Sequence, residues 1–455
     1  MVTTAAATER LPPGAVAWSL YEAARIPLVT LVTIFVFAPY FVTQVIGDPV
    51  RGQAAVAEAG KWGGWIVALT APILGATLDR WGPRKLFLAP VTASLALLVG
   101  LLWFAYPDGS GLSVPTVIAI WSANTVLYAY CDLGHNSLLA RAAPRMEHRA
   151  SGLALALGNA FSTALLIFVL FAFVLTPHPL FGLDKASHAP DRIVAPIAAL
   201  SIAIGCLPLF FLTPDAPRTG LTFAAAVRAG LSDLRSLIAE ARGQHRNALV
   251  FLAARMFYAD AKVAIILFGG VYAAGVMGWR TAELLALGVL QGLFSTLGGV
   301  LAARFDGRFG PKRAVQIELG MVLIGQIAIL GTRPDMILYV PVDLPPLWAG
   351  SMFNTLPEIV FLTVGVLNAI GITAAYASSR TLLVRLVPAD ATGRFFGLYT
   401  LSGNATYWLA PFLIELFTRS FGTQQAGFYP VLALLLIGLA ILSRVRMPPR
   451  PLAFG

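Results

Sequence analysis

Long apolar stretches, broken by short polar or Gly/Pro-rich turns, run along the whole of this sequence. Each approaches the roughly 20 residues a helix needs to cross a bilayer, and no strand-length alternation of apolar and polar residues competes with them. The pattern predicts an all-α integral membrane protein with twelve transmembrane helices in two pseudo-symmetric six-helix halves. The expected spans are 15–46, 54–78, 86–106, 114–139, 150–176 and 193–212, then 248–277, 281–303, 314–331, 357–386, 395–417 and 427–442. The longest polar stretch, 213–247, separates a first half (1–212) from a second (248–455). It carries Arg218, Arg228, Arg235, Arg242 and Arg246 with Asp233 and Glu240 among them. Part of it reads as an amphipathic helix at the membrane surface. Residues 332–355 read as a Pro-rich connection without regular structure.

One polar element appears twice. Arg80-Trp81-Gly82-Pro83-Arg84-Lys85 and Arg308-Phe309-Gly310-Pro311-Lys312-Arg313 align without a gap, 228 residues apart. Each follows an aspartate, Asp79 or Asp306, and each joins two apolar spans. Two weaker echoes support a duplication. Tyr21-Glu22-Ala23-Ala24-Arg25 matches Tyr258-Ala259-Asp260-Ala261-Lys262, and Gly158-Asn159-Ala160 matches Gly403-Asn404-Ala405. Two parallel repeats of six spans are a transporter architecture.

Composition agrees. Of 455 residues, 58% are hydrophobic and 12% charged, with mean hydropathy +0.77, which excludes ordinary soluble classes. A net charge of +10 would suggest nucleic acid in a soluble protein. Here it follows the positive-inside rule. With both termini cytoplasmic, only Arg51, Lys185, Arg192, Arg280, Arg333 and Arg419 fall outside, whereas Arg444, Arg446, Arg450 and both basic turns fall inside. Cys131 and Cys206 lie in apolar segments and carry no disulfide signature. Residues 1–14 lack a basic n-region and a cleavage site, so no removable signal peptide is expected.

A charge at the middle of a spanning helix costs about 2.5–3.5 kcal/mol on insertion scales, so each needs a reason. Glu22 and Arg25 share a face of span 1, and Tyr128, Asp132 and His135 share one of span 4. Arg255, Tyr258 and Lys262 share a face of span 7, from which Asp260 and Met256 point away. Thr373, Tyr376 and Arg380 repeat the spacing on span 10. Glu22, Asp132, Arg255 and Arg380 lie roughly 10 Å from the cytoplasmic ends, at 1.5 Å per residue. They are placed to pair across the halves as an inner gate. Arg25, Tyr128, Tyr258, Asp260, Lys262 and Tyr376 are the candidates for solute contact. Asp260 or Asp132 is the candidate proton carrier. Arginine keeps its proton, so Arg25, Arg255 and Arg380 are anchors or counter-ions. The bland alternatives are a satisfied Glu22–Arg25 pair, a structural His135, and snorkelling by Lys61, Glu358 and Glu415. Cys131, His135 and Met256 would suit a soft metal such as Cu(I), although such residues in a bundle are more often packing. No phosphate loop, catalytic triad or cofactor motif is present, so neither an enzyme nor a cofactor is expected.

The basic turn resembles the loop signature of the major facilitator superfamily, which places it between spans 2 and 3 and again between 8 and 9. The resemblance implies that Gly75 lets helices pack closely. It also implies that Asp79, Arg80, Arg84 and Lys85, with Asp306, Arg308, Lys312 and Arg313, latch one access state. Trp18-Ser19-Leu20-Tyr21-Glu22, Phe268-Gly269-Gly270-Val271-Tyr272 and Phe395-Phe396-Gly397-Leu398-Tyr399-Thr400-Leu401-Ser402-Gly403-Asn404-Ala405-Thr406 look like a narrower branch. That branch is the autophagy-related vacuolar amino-acid effluxers and their bacterial relatives. The chain departs from its pattern at Arg25, Tyr376 and Asn404.

The expectation is a secondary transporter that moves a small polar solute, amino-acid-like or anionic, by alternating access. A proton is the expected coupling ion and the bacterial inner membrane the location; efflux is what the resemblance implies for the direction. A monomer in the lipid bilayer is expected, with no nucleic-acid partner. The alternatives are a copper transporter and a non-transporting receptor or assembly factor on the same fold.

Overall fold

The computed structural model describes residues 10–217, 219–350, 352–388 and 392–447. Arg218, Arg450 and residues 1–9 of the expected N-terminal tail lie outside the described residues. Among the described residues, nine helices are long and apolar enough to cross a membrane. Three more expected spans are also helical: Pro49–Trp81, Arg246–Val276, and the pair Thr392–Asn404 and Leu409–Phe421. These are charge-bearing, with Glu58 and Lys61, then Arg255, Asp260 and Lys262, then Glu415 and Arg419. The spans keep their expected numbers below.

Local signals explain the boundaries. Asp48 accepts from the Val50 and Arg51 amides (2.8 and 3.0 Å) and starts span 2, with Pro49 in its first turn. Thr355 and Glu358 form a capping box that starts span 10. This corrects the snorkelling reading of Glu358, whose carboxylate also accepts from Trp279 Nε1 at 3.1 Å. In the basic turns, Gly82 (φ 107°) and Gly310 (φ 82°) take backbone conformations that a side chain resists, and the proline after each leads into the next helix.

Span 1, Pro13–Val45, is not a regular helix. Past Pro27 it widens into a π-helical stretch, Leu28–Phe35, and it widens again after Pro39 at Phe41–Val45. A proline has no N–H and its ring crowds the preceding turn, so the local hydrogen bonds lengthen their step. Span 11 breaks outright at 405–408, where one continuous helix is expected. Pro411 stands four residues after Tyr407, whose carbonyl a continuous helix would drive into the proline ring. Residues 336–341 form a two-stranded antiparallel hairpin, Met336–Ile337 with Val340–Pro341, inside the connection expected to be irregular.

The packing repeats itself. Span 1 packs on 5 and 6, span 2 on 4, and span 3 on 6; span 7 packs on 11 and 12, span 8 on 10, and span 9 on 12. Contact between the first six and last six spans runs through 2 with 11, 5 with 8, and 1 with 7. Large apolar side chains such as Leu97, Phe171 and Phe211 are exposed on the outside of the bundle, as a lipid environment allows.

Candidate functional site

Arg25 is fully buried and draws the charges of the first six spans together. Its Nη2 donates to Asp132 Oδ1 at 2.6 Å and pairs with Glu22. The guanidinium also lies over the Tyr128 ring at 4.7 Å and the Tyr21 ring at 5.1 Å. A buried guanidinium without counter-charge is strongly unfavourable, and two carboxylates offset that cost. His135 is buried, stacked on Trp18 at 4.1 Å, and its Nε2 lies 2.8 Å from the Trp18 carbonyl oxygen. Its Nδ1 is 3.5 Å from Glu22. The Cys131 thiol lies 3.7 Å from the Thr92 hydroxyl. Cys131 and His135 thus face packing partners on spans 3 and 1, while Met256 lies on span 7 and its carbonyl accepts from Thr406 at 2.8 Å.

A second cluster forms in the last six spans. Arg255 Nη1 donates to the Tyr399 carbonyl (2.6 Å) and to Ser402 Oγ (2.8 Å), with the guanidinium 3.6 Å above the Tyr399 ring. The Lys262 ammonium lies 3.7 Å over the Tyr376 ring and 5.3 Å from that of Tyr258, whose hydroxyl is 3.0 Å from Ser379 Oγ. Arg380 is exposed. The expected pairing of Glu22 and Asp132 with Arg255 and Arg380 is therefore not formed in this conformation. Arg25 reaches both carboxylates first, and span 11 holds Arg255.

Asp260 does something the sequence reading did not assign. Its Oδ2 accepts from the Ala410 amide at 2.8 Å, at the start of the second segment of span 11. The break frees backbone N–H groups, and a carboxylate suits them and the positive end of the helix dipole. The signal was available in sequence: Pro411 on span 11, with an unpaired acid on span 7.

Asp260 also lines a small chamber of about 80 Å³ with Asn124, Tyr128 and Tyr407. Thr125 and Tyr407 are shared with a vestibule of about 770 Å³ between spans 2, 4 and 11. The vestibule reaches exposed Asp233 and Ser236 at the end of the bundle that carries the basic turns. At the opposite end, spans 2 and 11 are sealed together. Lys61 pairs with Glu415 at 2.6 Å, and Arg419 bridges Glu415 (3.1 Å) and Glu58 (2.8 Å). Gln53 Nε2 donates to Thr418 Oγ1 (2.9 Å) and to the Gln424 carbonyl (3.0 Å). Deeper in, Trp65 stacks on Trp408 at 4.0 Å, and a Cβ at Gly64 would lie 2.7 Å from Trp408 Cα. Lys61 and Glu415 are thus an ion pair rather than snorkelling side chains.

The basic turns bind mostly to what surrounds them. Arg84 reaches Asp79 at 3.3 Å and Ser137 Oγ at 3.0 Å, while the Arg84 and Lys85 amides donate to Asp215 (2.9 and 3.2 Å). Lys85 Nζ donates to the Phe210 carbonyl at 2.9 Å. Arg80 makes a two-pronged contact with Asp233 (2.6 and 2.8 Å) on the linker helix Phe223–Gln244, which packs on span 2. That contact holds the Asp233 carboxyl below its ordinary range. A Cβ on Gly75 would meet Leu133 at an ordinary 3.7 Å, so close helix approach does not demand glycine there. In the second turn, Lys312 Nζ donates to the Ser443 carbonyl at 2.8 Å and Arg308 lies over Phe309 at 5.5 Å. Asp306 Oδ1 is buried without a hydrogen-bond partner, and Arg313 lines a surface pocket with Lys312.

The repeated helix packing and the charges among the spans belong to a membrane transporter of the major facilitator type, the class of its relatives and structural neighbours. Solved transporters share the fold. A D-xylose-proton symporter superposes with TM-score 0.64 at 13% identity, covering 96% of this chain and 97% of that one. A bacterial homologue of the human lysosomal transporter Spinster, inward-facing and occupied, gives 0.61 at 14% identity, with 96% and 98% covered. The uncharacterized MFS-type transporter YxiO of Bacillus subtilis (strain 168) is 21% identical over 441 residues, 94% of each chain. The model of the family "Vacuole effluxer Atg22 like" matches residues 136–449, and the chain belongs to that family.

Proposed function

We propose that this multi-pass membrane protein is a secondary active transporter that exports a small polar solute, amino-acid-like or anionic, in exchange with protons. Residues 1–212 and 248–455 act as two rocking halves joined by the 213–247 linker. The basic turns face the cytoplasm of a bacterial inner membrane, as do both termini. In that orientation the structure is inward-facing. A monomer without cofactor suffices.

One observation carries the reading: the Asp260 chamber shares Thr125 and Tyr407 with the vestibule at the basic end, while ion pairs join spans 2 and 11 at the other end. Tyr128, Asp260 and Tyr407 contact the solute, while Lys262, Tyr258 and Tyr376 line neither the chamber nor the vestibule. Arg25 holds Glu22 and Asp132 in register. Asp260 carries the coupling proton, since one of its oxygens is held by Ala410 and no cation pairs with it among the described residues. In the outward-facing state Glu22 and Asp132 turn to Arg255 and Arg380, and Asp79, Arg80, Arg84, Lys85, Asp306, Arg308, Lys312 and Arg313 close the basic end.

The test is flux into and out of liposomes holding the purified protein, with an imposed pH gradient and a panel of amino acids and organic acids. Solute flux driven by the gradient and lost in Asp260→Asn is expected. Gradient-driven flux that survives Asp260→Asn would remove the coupling role. No flux with any panel member would remove the proposed solute class.

A further inference from the structure

The space between the first six and last six spans is divided. Where span 1 meets span 7, Gly270 packs directly on the Ile34 carbonyl oxygen, leaving no room for a side chain. The Asp260 chamber lies on one side of this seam. On the other side, among spans 1, 5, 7, 8 and 10, is a second chamber of about 310 Å³.

Its chemistry is different. No Asp, Glu, Lys, Arg or His lines it. The polar lining is carboxamide and hydroxyl: Thr30 and Ser162 from the first six spans, Gln291, Ser295 and Asn368 from the last six. Most have one arm tied. Ser162 donates to Thr30 (2.9 Å), Gln291 Nε2 to the Gly365 carbonyl (3.2 Å), and Asn368 Nδ2 to Gln326 (3.5 Å). Asn368 Oδ1 is buried against Gly325 of span 9, so it does not open onto the chamber. Phe35, Phe361 and Phe428 supply apolar faces.

We propose that this second chamber binds an uncharged, polyhydroxylated solute of pentose-to-hexose size. A charged ligand would lose its hydration here and find no counter-charge. A hydroxyl both donates and accepts, which matches the amides and hydroxyls among the lining residues. The C–H faces of such a ring meet the phenylalanines. At about 310 Å³ the chamber falls at the lower end of the ~300–1,000 Å³ typical of small-molecule sites. Its walls come from both groups of six spans, so an occupant bridges them. The proposal rests on a different chamber from the one assigned above and stands apart from the amino-acid reading.

The experiment is thermal unfolding of the purified full-length protein in detergent, titrated with D-xylose, D-glucose and mannitol, with L-glutamate and choline as charged controls. Saturable stabilisation by at least one of the three polyols, and none through this chamber by the ions, is expected. Gln291→Leu and Ser295→Val each weaken that polyol about tenfold, the usual loss for one deleted hydrogen bond. Ser295→Val keeps the test open if Gln291→Leu does not fold. The proposal is overturned if none of the three polyols stabilises the protein. It is also overturned if both variants bind the polyol as well as the parent, or if an ion stabilises the parent and loses that effect in Ser295→Val. Polyol binding without amino-acid flux would leave this chamber's assignment intact while removing the other, and the reverse result would do the opposite.

Discussion

The Asp260 carboxylate on span 7 accepts from the Ala410 amide on span 11 at 2.8 Å, and the two residues are 150 apart in sequence. An acid that would be unfavourable inside a membrane thereby satisfies a backbone group that Pro411 prevents from pairing within its own helix. The interaction ties a residue that lines the small chamber to the break in span 11.

Removing the carboxylate tests that tie. Asp260→Ala should lower unfolding stability by about 0.5–2 kcal/mol, the usual cost of deleting a helix-capping group. Asp260→Asn keeps an acceptor oxygen and should retain most of it. Thermal unfolding of the two variants in the same detergent checks the order.

Arg25 should behave as an all-or-none residue. Arg25→Ala leaves Glu22 and Asp132 as neighbouring acids without their cation; since both are partly exposed (30% and 44%), the loss should fall below the ~3–5 kcal/mol of a fully buried pair. Adding Glu22→Gln and Asp132→Asn to Arg25→Ala should recover a large part of that loss. Folded yield by size-exclusion chromatography and unfolding midpoints read both outcomes. No recovery in the triple variant would mean that packing of the guanidinium on Tyr128, rather than charge balance, is what matters.

The pairing of Lys61 with Glu415 holds the far end closed. Glu415→Lys places like charges together and should shift the population toward the opposite access state. Lys61→Glu added to it should restore the original distribution. Labelling a cysteine placed near Gln53 with a membrane-impermeant thiol reagent reports the change, and unchanged labelling in Glu415→Lys would refute the latch.

The linker helix should release in acid and in salt. Arg80 holds the Asp233 carboxyl below its ordinary range, so this contact's contribution is complete above the ordinary carboxylate value. It is lost as pH falls through the lowered value. Both side chains are half exposed, so salt also weakens the pair. Protection factors over Phe223–Gln244, with intrinsic exchange divided out, should fall below about pH 4 and in 1 M salt, and Asp233→Asn should remove the pH response.

His188 gives the opposite sign. Its imidazole donates to Asp191 at 3.0 Å, which raises its pKa above the ordinary 6.5. The stabilisation is complete below that value and is lost as pH rises through the raised one. Protection factors around residues 184–192, with intrinsic exchange divided out, should therefore be higher near pH 6 than near pH 9. A flat profile, or one unchanged in Asp191→Asn, would contradict the assignment.

The sequence by itself determined the class. Apolar runs of bilayer length, the doubled Gly-Pro turn, and charges confined to particular spans follow from local composition and period. Those features also placed Glu22 beside Arg25, and His135 in a structural role. The helix starts at Asp48 and Thr355 lie in capping residues and prolines that the expected boundaries, 54 and 357, did not use. What only the tertiary structure decided was which charge meets which. Asp132 was free to face Arg255 or Arg25, and depth along the helices could not choose between them. The packing of span 4 on its own group chose Arg25. Lys61 and Glu415 lie more than 350 residues apart, and only the approach of spans 2 and 11 makes them a pair. The second chamber was illegible for the same reason. Its amides and hydroxyls are scattered over several spans with no shared period, and a cavity exists only where packed helices fail to fill the space between them.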